Sequence, residues 1–259
     1  MSGNVVLPKN VDVNNIKIGK PKKLGNSLAK IAHITLNDEN VAFQLPEMNA
    51  PFGKGCWENE NGTTKHWIEL SFRDIEKRLP LQVFKKFIDD FDEKMVQHAY
   101  DNSHEFFNKK YTNIEVVRAL YTPSIRYPKD KETGEITDKY PPTYKMNLPQ
   151  KNGQFTFELY NRQKEMIDIN SVETKGSMIT AIVQCGGLWM AGGKFGVTWR
   201  NLQMEITPKS SIKGYAFINN PEDRITQVEE DDDVEVSTTK LSNLIVDDDD
   251  DDEDDDDEA

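Results

Sequence analysis

The sequence predicts an α+β fold, mainly β, from two changes of hydrophobic period and one hairpin signal. Over His66 to Phe72, Trp67, Glu69 and Ser71 alternate with Ile68, Leu70 and Phe72, the period of a strand. From Phe84 to Ala99 the apolar residues recur at spacings of three and four, the period of an amphipathic helix. Beyond Tyr144 the strand pattern returns, and Asn152-Gly153 is a tight-turn dipeptide between two strand-like runs.

Taken in order, residues 1–27 are rich in Lys, Asn and Gly and read as an extended arm or edge strand, with the cluster Lys20, Lys22 and Lys23 around Pro21. Leu28 to Thr35 and Val41 to Leu45 are strand-like, joined by a turn at Asn37 to Asn40. Pro46 to Gly62 is loop-like, and His66 to Phe72 makes a third strand. Pro80 then suits the first turn of a helix, because its missing N–H is unused there and its φ is already helical. Phe84, Phe87, Ile88, Phe91, Met95 and Ala99 form the apolar stripe of a helix over about 80–100, and a shorter one is expected around Asn113 to Leu120. Arg126 to Lys145, rich in Pro and Tyr, reads as an exposed hairpin-like excursion turning at Asp130 to Gly134. Tyr144 to Leu148, Gln154 to Tyr160, Ser177 to Cys185, Leu188 to Ala191 and Phe195 to Ile206 complete a β-rich second half. Three strands, a helix and further strands fit an OB-fold-like Greek-key barrel with a helix between strands 3 and 4. The expected organisation is a domain over 1–220 and a disordered acidic linker and tail over 221–259.

Charge divides the same way. Residues 221–259 hold 20 of the 45 acidic side chains and 2 of the 32 basic ones, leaving 25 and 30 in residues 1–220. The net charge of −13 therefore conceals a body of +5 joined to a strongly anionic arm. The arm ends in twelve consecutive carboxylates: Asp247, Asp248, Asp249, Asp250, Asp251, Asp252, Glu253, Asp254, Asp255, Asp256, Asp257 and Glu258. Like charges at that density cannot be buried together. The basic body has two candidate partners, its own tail or another polyanion. Cys56 and Cys185 offer neither a disulfide framework nor metal spacing and read as reduced thiols. With no apolar leader and no run near the ~18 residues of a membrane span, an intracellular protein without a membrane partner is expected.

Enzyme and cofactor signatures fail on inspection. His104-Glu105 begins like a zinc-protease helix, but Asn108 stands where the second histidine is needed. Gly187 to Lys194 imitates a phosphate loop with the wrong glycine spacing and with Phe195 in place of Ser or Thr. No enzyme activity, metal or other cofactor is expected. What remains is aromatics among cations in a β context. Trp189, Lys194, Phe195 and Arg200 lie on one hairpin, and Arg126, Tyr127, Lys129, Lys139, Tyr140, Tyr144 and Lys145 on the excursion. Bases stack on aromatic faces for about 1–3 kcal/mol each while Lys and Arg follow the phosphates, so this is the composition of a sequence-tolerant single-strand binder. Core roles compete with contact roles. Trp199 alternates with Phe195 and Val197, which favours the interior for that face and turns Thr198 and Arg200 outward. The excursion tyrosines fit contact and turn packing equally.

Four stretches carry a family likeness: Ile16 to Leu24, Met48 to Gly53, LYTPSIRYPKDKETGEITDKYPPTYK (Leu120 to Lys145) and the glycine-rich Lys175 to Arg200. Together they resemble the single-stranded DNA-binding proteins of large nucleocytoplasmic DNA viruses, related to a phage replication protein with an acidic C-terminal tail. The resemblance implies an OB-fold that coats intermediates of replication, recombination and repair in a viral replication compartment, nuclear or cytoplasmic. It also implies a tail that recruits replication enzymes such as polymerase or helicase. A homodimer is compatible with it. The rival class is an acidic-tailed chaperone of histones or other basic proteins, which would lose its main binding when the tail is deleted.

Overall fold

The computed structural model describes residues 5–25, 27–59, 62–210 and 214–218. The chain divides into two units, Met1–Ser211 and Ile212–Ala259. In the first unit five strands organise the rest: β1 (Met48–Ala50), β2 (Thr64–Ser71), β3 (Thr143–Leu148), β4 (Ser177–Ala191) and β5 (Lys194–Thr207). Numbered among themselves, they pair in the order β1-β2-β3-β5-β4, and β4 returns to β1. The ring is closed by Ser71↔Asn49, Trp67↔Asn147, Asn147↔Arg200, Gln184↔Arg200 and Ile179↔Met48. All these contacts are antiparallel except β3 with β5. Closure leaves the central strands without free edges.

Further pieces attach to the ring. Lys54–Glu58 pairs with the first half of β2 as a protruding arm. Lys30–Ala32 pairs with the far end of β4, and Lys22–Lys23 pairs with Lys30–Ala32. This flap is reached through a bulge between Cys185 and Leu188. Gly187 sits there at φ +103°, and a Cβ on it would lie 2.8 Å from the Ala32 carbonyl oxygen, so only glycine fits.

Helix α1 (Leu79–Asp101) runs between β2 and β3, followed by α2 (Ser103–Phe107) and α3 (Ile114–Leu120). Its stripe of Leu81, Phe84, Phe87, Ile88, Phe91, Met95 and Ala99 is buried against the inner faces of the strands. Phe84 packs edge-on to Tyr144 at 5.2 Å, Phe87 to Phe43 at 4.7 Å, and Phe91 lies 5.1 Å from Trp199. Aromatic pairs in such geometries contribute about 0.5–1.5 kcal/mol beyond the area they bury. On the solvent side Lys85–Asp89 and Lys86–Asp90 are i,i+4 pairs, each adding only tenths of a kcal/mol.

Three expectations need correction. The helix falls between the second and third ring strands, not between strands 3 and 4, because the run from Leu28 builds Lys30–Ala32 and Ile34–Leu36 outside the ring. The Asn37-Asp38 turn joins Ile34–Leu36 to Glu39–Asn40, while Ala42–Gln44 crosses to β4. The Asn152-Gly153 turn (φ 53° and 77°) closes only Gln150–Lys151 on Gln154–Phe155. Tyr144 to Leu148 pairs instead with β2, whose matching alternation offers a longer apolar face. Leu241 to Val246 and the acidic tail lie outside the described residues.

A polar chain crosses this core. Trp199, 2% exposed, donates from Nε1 to Ser124 Oγ at 3.0 Å. Ser124 donates from Oγ and N to the Asp92 carboxyl at 2.8 and 2.7 Å, and Tyr121 Oη donates to it at 2.7 Å. Burial raises the Asp92 pKa from 3.8 to about 6; the bonds from Tyr121 and Ser124 oppose the rise and the nearby Asp89 charge adds to it. Because the folded pKa lies above the unfolded one, the fold holds this proton more tightly. That stabilisation is full below about pH 4 and is lost as pH rises through 6. Asp92→Asn removes the titration at a fixed cost in hydrogen bonding. In urea unfolding, the stability of wild type relative to Asp92→Asn should fall between pH 4 and 7; a pH-independent difference would show that Asp92 ionises normally.

Candidate nucleic-acid interface

The alternation that sends Ile68, Leu70, Tyr144, Met146 and Trp199 inward sends their neighbours outward. Directly paired residues share a face, so the register alone traces what lies side by side. Trp57 of the arm is opposite Lys65, and Gly55 is opposite Trp67. Trp67 is opposite Asn147, Asn147 is opposite Arg200, and Arg200 is opposite Gln184. On the same face of the β4–β5 hairpin, Trp189 is opposite Gly196 and Ile31, and Ile31 is opposite Lys22. Three of the four tryptophans therefore stand on outward positions, with Lys65, Lys145 and Arg200 on the same phase and Lys22 beyond Trp189 on the flap.

Two of these rings lie on glycines. A Cβ on Gly55 would fall 2.6, 2.8 and 2.9 Å from Cε2, Nε1 and Cζ2 of Trp67, so the indole lies across that residue. A Cβ on Gly196 would meet Trp189 Cζ2 at 2.9 Å. Trp57 is 54% exposed, with Lys65 Nζ 5.7 Å from its ring centroid. Lys145 Nζ sits 3.8 Å from the Trp67 centroid. Glu69 shares the face, but its carboxylate accepts from Arg126 Nη1 at 3.1 Å and from Thr143 Oγ1 at 2.9 Å. Burial, then the Arg126 charge, lowers the Lys145 pKa from its ordinary value.

The sequence candidates separate into groups on this surface. Arg126, Lys145, Trp189 and Arg200 join the outward face, with Lys22 in line with Trp189 on the flap strand, Lys23 on the opposite phase of that strand in line with Met190, and Lys20 exposed just before it. Lys194 is exposed at the hairpin turn. Tyr127, Lys129, Lys139 and Tyr140 are exposed on the excursion, where Tyr127 and Tyr140 line an open groove with Pro128, Ile136 and Pro142. Tyr127 faces Lys85 of α1, 5.6 Å from its ring centroid. Two candidates are corrected. Tyr144 and Phe195 are fully buried, Phe195 against Phe107 and Tyr121, because both fall on the inward phase of their strands; neither can stack on a ligand. Trp57, Lys65, Trp67 and Asn147 were not among the candidates. The usable signal was a tryptophan on the polar side of an alternating strand, Trp67 in phase with Glu69.

Among the described residues no group of three or more His, Cys, Asp or Glu could hold a metal ion, and no helix is long and apolar enough to cross a membrane. Fold and site together define a mainly β protein with an outward face of indoles and cations. The chain belongs to a family of unknown function, DUF5871, whose model matches residues 69–219. No curated protein matches it. Among solved structures it is similar to gp2.5, a single-stranded DNA-binding protein encoded by bacteriophage T7 (11% identity, 76% of this chain and 100% of that chain, TM-score 0.40). It is also similar to the single-stranded DNA-binding protein from bacteriophage Enc34 in complex with ssDNA (12% identity, 76% and 99%, TM-score 0.42).

Among the described residues the buried Tyr144 hydroxyl has no hydrogen-bond partner. Tyr144→Phe should therefore leave the urea midpoint unchanged or raise it by up to about 1 kcal/mol equivalent. A clear loss of stability would place that hydroxyl in a bond.

Proposed function

We propose that this chain is a non-enzymatic single-stranded DNA-binding protein of viral replication, recombination or repair, built on an OB-type barrel. The ring order β1-β2-β3-β5-β4 with β3 parallel to β5 supports the OB reading. In that architecture the face of strands 2 and 3 and the loops joining strands 1–2 and 4–5 contact oligonucleotides. Here those positions hold Trp67 and Lys145, Trp57 on the arm, and Lys194 at the hairpin turn. The observation that carries the proposal is the outward face itself: flat π-surfaces for unpaired bases, interleaved with cations for phosphates. The sequence resemblance points the same way.

The acidic tail is the second part of the proposal. Asp247 to Glu258 competes with DNA for the cationic face at low salt and recruits replication enzymes such as polymerase or helicase once displaced. Support lies in charge alone, +5 for residues 1–220 against an arm of the opposite sign.

Oligo-dT should bind more tightly than duplex DNA of equal length and quench tryptophan emission. Its affinity should fall with salt at a log–log slope of roughly −2 to −4, from a few phosphate contacts at about −0.7 each. Arg200→Ala should weaken binding, reduce the slope by about 0.7 and leave the unfolding midpoint unchanged. Equal or tighter binding to duplex would refute the assignment.

Truncation after Val246 should raise oligo-dT affinity at low salt, with the gain fading as ionic strength screens the tail. Loss of histone binding on truncation, with no gain in oligo-dT affinity, would favour the chaperone class instead.

A further inference from the structure

Trp67 differs from the other two outward tryptophans in having both a glycine backbone and a lysine ammonium directly against its ring. Its indole lies across Gly55, and the Lys145 ammonium rests 3.8 Å from the ring centroid. An ammonium that close to an aromatic centroid is a direct cation–π contact. Lys145 reaches the ring because its natural partner is taken. Its cross-strand neighbour is Glu69, but the Glu69 oxygens are held by Arg126 and Thr143. Among the described residues Lys145 has no ion pair and no side-chain hydrogen bond, so the indole is its one close polar-type contact.

Resting on the single-strand reading, we infer that Lys145 is a cap on Trp67 that opens only to a ligand offering both a phosphate and an unpaired base. The base takes the ammonium's place on the indole while the ammonium moves to a neighbouring phosphate. A nucleoside brings a base but no anion to draw the cap away. A duplex brings phosphates, but its bases are paired and stacked, so an uncovered indole gains nothing. A single strand supplies both in one molecule. The cap thereby converts a general polyanion surface into one selective for single strands. Trp57 has the Lys65 ammonium only at 5.7 Å from its centroid and is 54% exposed, and among the described residues no cation lies over Trp189, so neither ring is capped as closely as Trp67. The depressed pKa of Lys145 fits an ammonium that is poorly solvated at rest and gains a better partner on binding.

The test uses full-length protein labelled with 5-fluorotryptophan, so that each indole gives its own fluorine resonance, with Trp67 assigned by Trp67→Phe. In wild type, oligo-dT should shift the Trp67 resonance, whereas thymidine at millimolar concentration and duplex DNA should not. In Lys145→Met, which keeps the aliphatic stem, thymidine should now shift it. The preference for oligo-dT over duplex should narrow, and the salt slope should lose about 0.7. An unshifted Trp199 resonance certifies that the variant's core is intact. Trp67→Leu should weaken oligo-dT binding by about 5- to 150-fold, the loss of one stacked base. If oligo-dT binds wild type but leaves the Trp67 resonance in place, or if Lys145→Met leaves the slope unchanged, the cap is overturned while single-strand binding stands. If wild type does not bind oligo-dT at all, the functional reading itself fails.

Discussion

The contact between Trp199 and α1 fixes everything outside it. Trp199 is the inward residue of β5 at the point where β5 meets both β4 and β3. Phe43, Phe91 and Tyr144 surround it, and Ser124 Oγ accepts from its indole N–H. A strand has a side-chain period of two, so an indole locked inside holds Arg200 outside, and the pairing passes that choice to Asn147, Trp67 and Gln184. The outward face is thus the reverse side of a packing decision made in the core. Asp92 ties the same point to the helix through Ser124, so the loop leading to Arg126 is referenced to the same indole.

This explains which parts were legible in the sequence. The helix over Leu79–Asp101 has five turns of unbroken periodicity, and the long strands β4 and β5 alternate over most of their length; local pattern suffices for both. Pairing did not follow from local pattern. Asn152-Gly153 does make a tight turn, but a strand chooses its neighbour by the apolar face on offer, and β2 offers more than the short run after the turn. The interior position of Trp199 and the exposure of Arg200 follow from alternation, whereas Phe195, on the same inward phase, was still a contact candidate because tertiary burial and surface stacking use the same residue types. Trp67 was hidden for a different reason. Its phase with Glu69 marks it as outward, but its cationic partner Lys145 lies 78 positions away.

Glycine and cation cooperate on the face in a way that composition does not reveal. Gly55 and Gly196 each remove the one atom that would lift a neighbouring indole off the sheet. The two rings consequently approach the glycine backbone closely. Long cationic stems then reach over them, as Lys145 does over Trp67. Arg126 and Glu69 satisfy each other at one border of this arrangement, so the carboxylate nearest the face does not bind its free ammonium.

The bulge at Gly186-Gly187 has a consequence for how this chain can vary. It lets one continuous strand serve the ring before it and the flap after it, with inward and outward positions matched on both sides. Length changes at the Gly192-Gly193 turn, where both glycines have open space for a side chain, would alter only the tip of the hairpin. One residue gained or lost at the bulge would reverse the phase of Leu188 to Ala191, carrying Trp189 inward and Leu188 out to solvent. Two neighbouring glycine pairs that look interchangeable in the sequence therefore differ sharply in tolerance: the distal pair accepts insertions, and the proximal pair fixes the spacing of the whole second half.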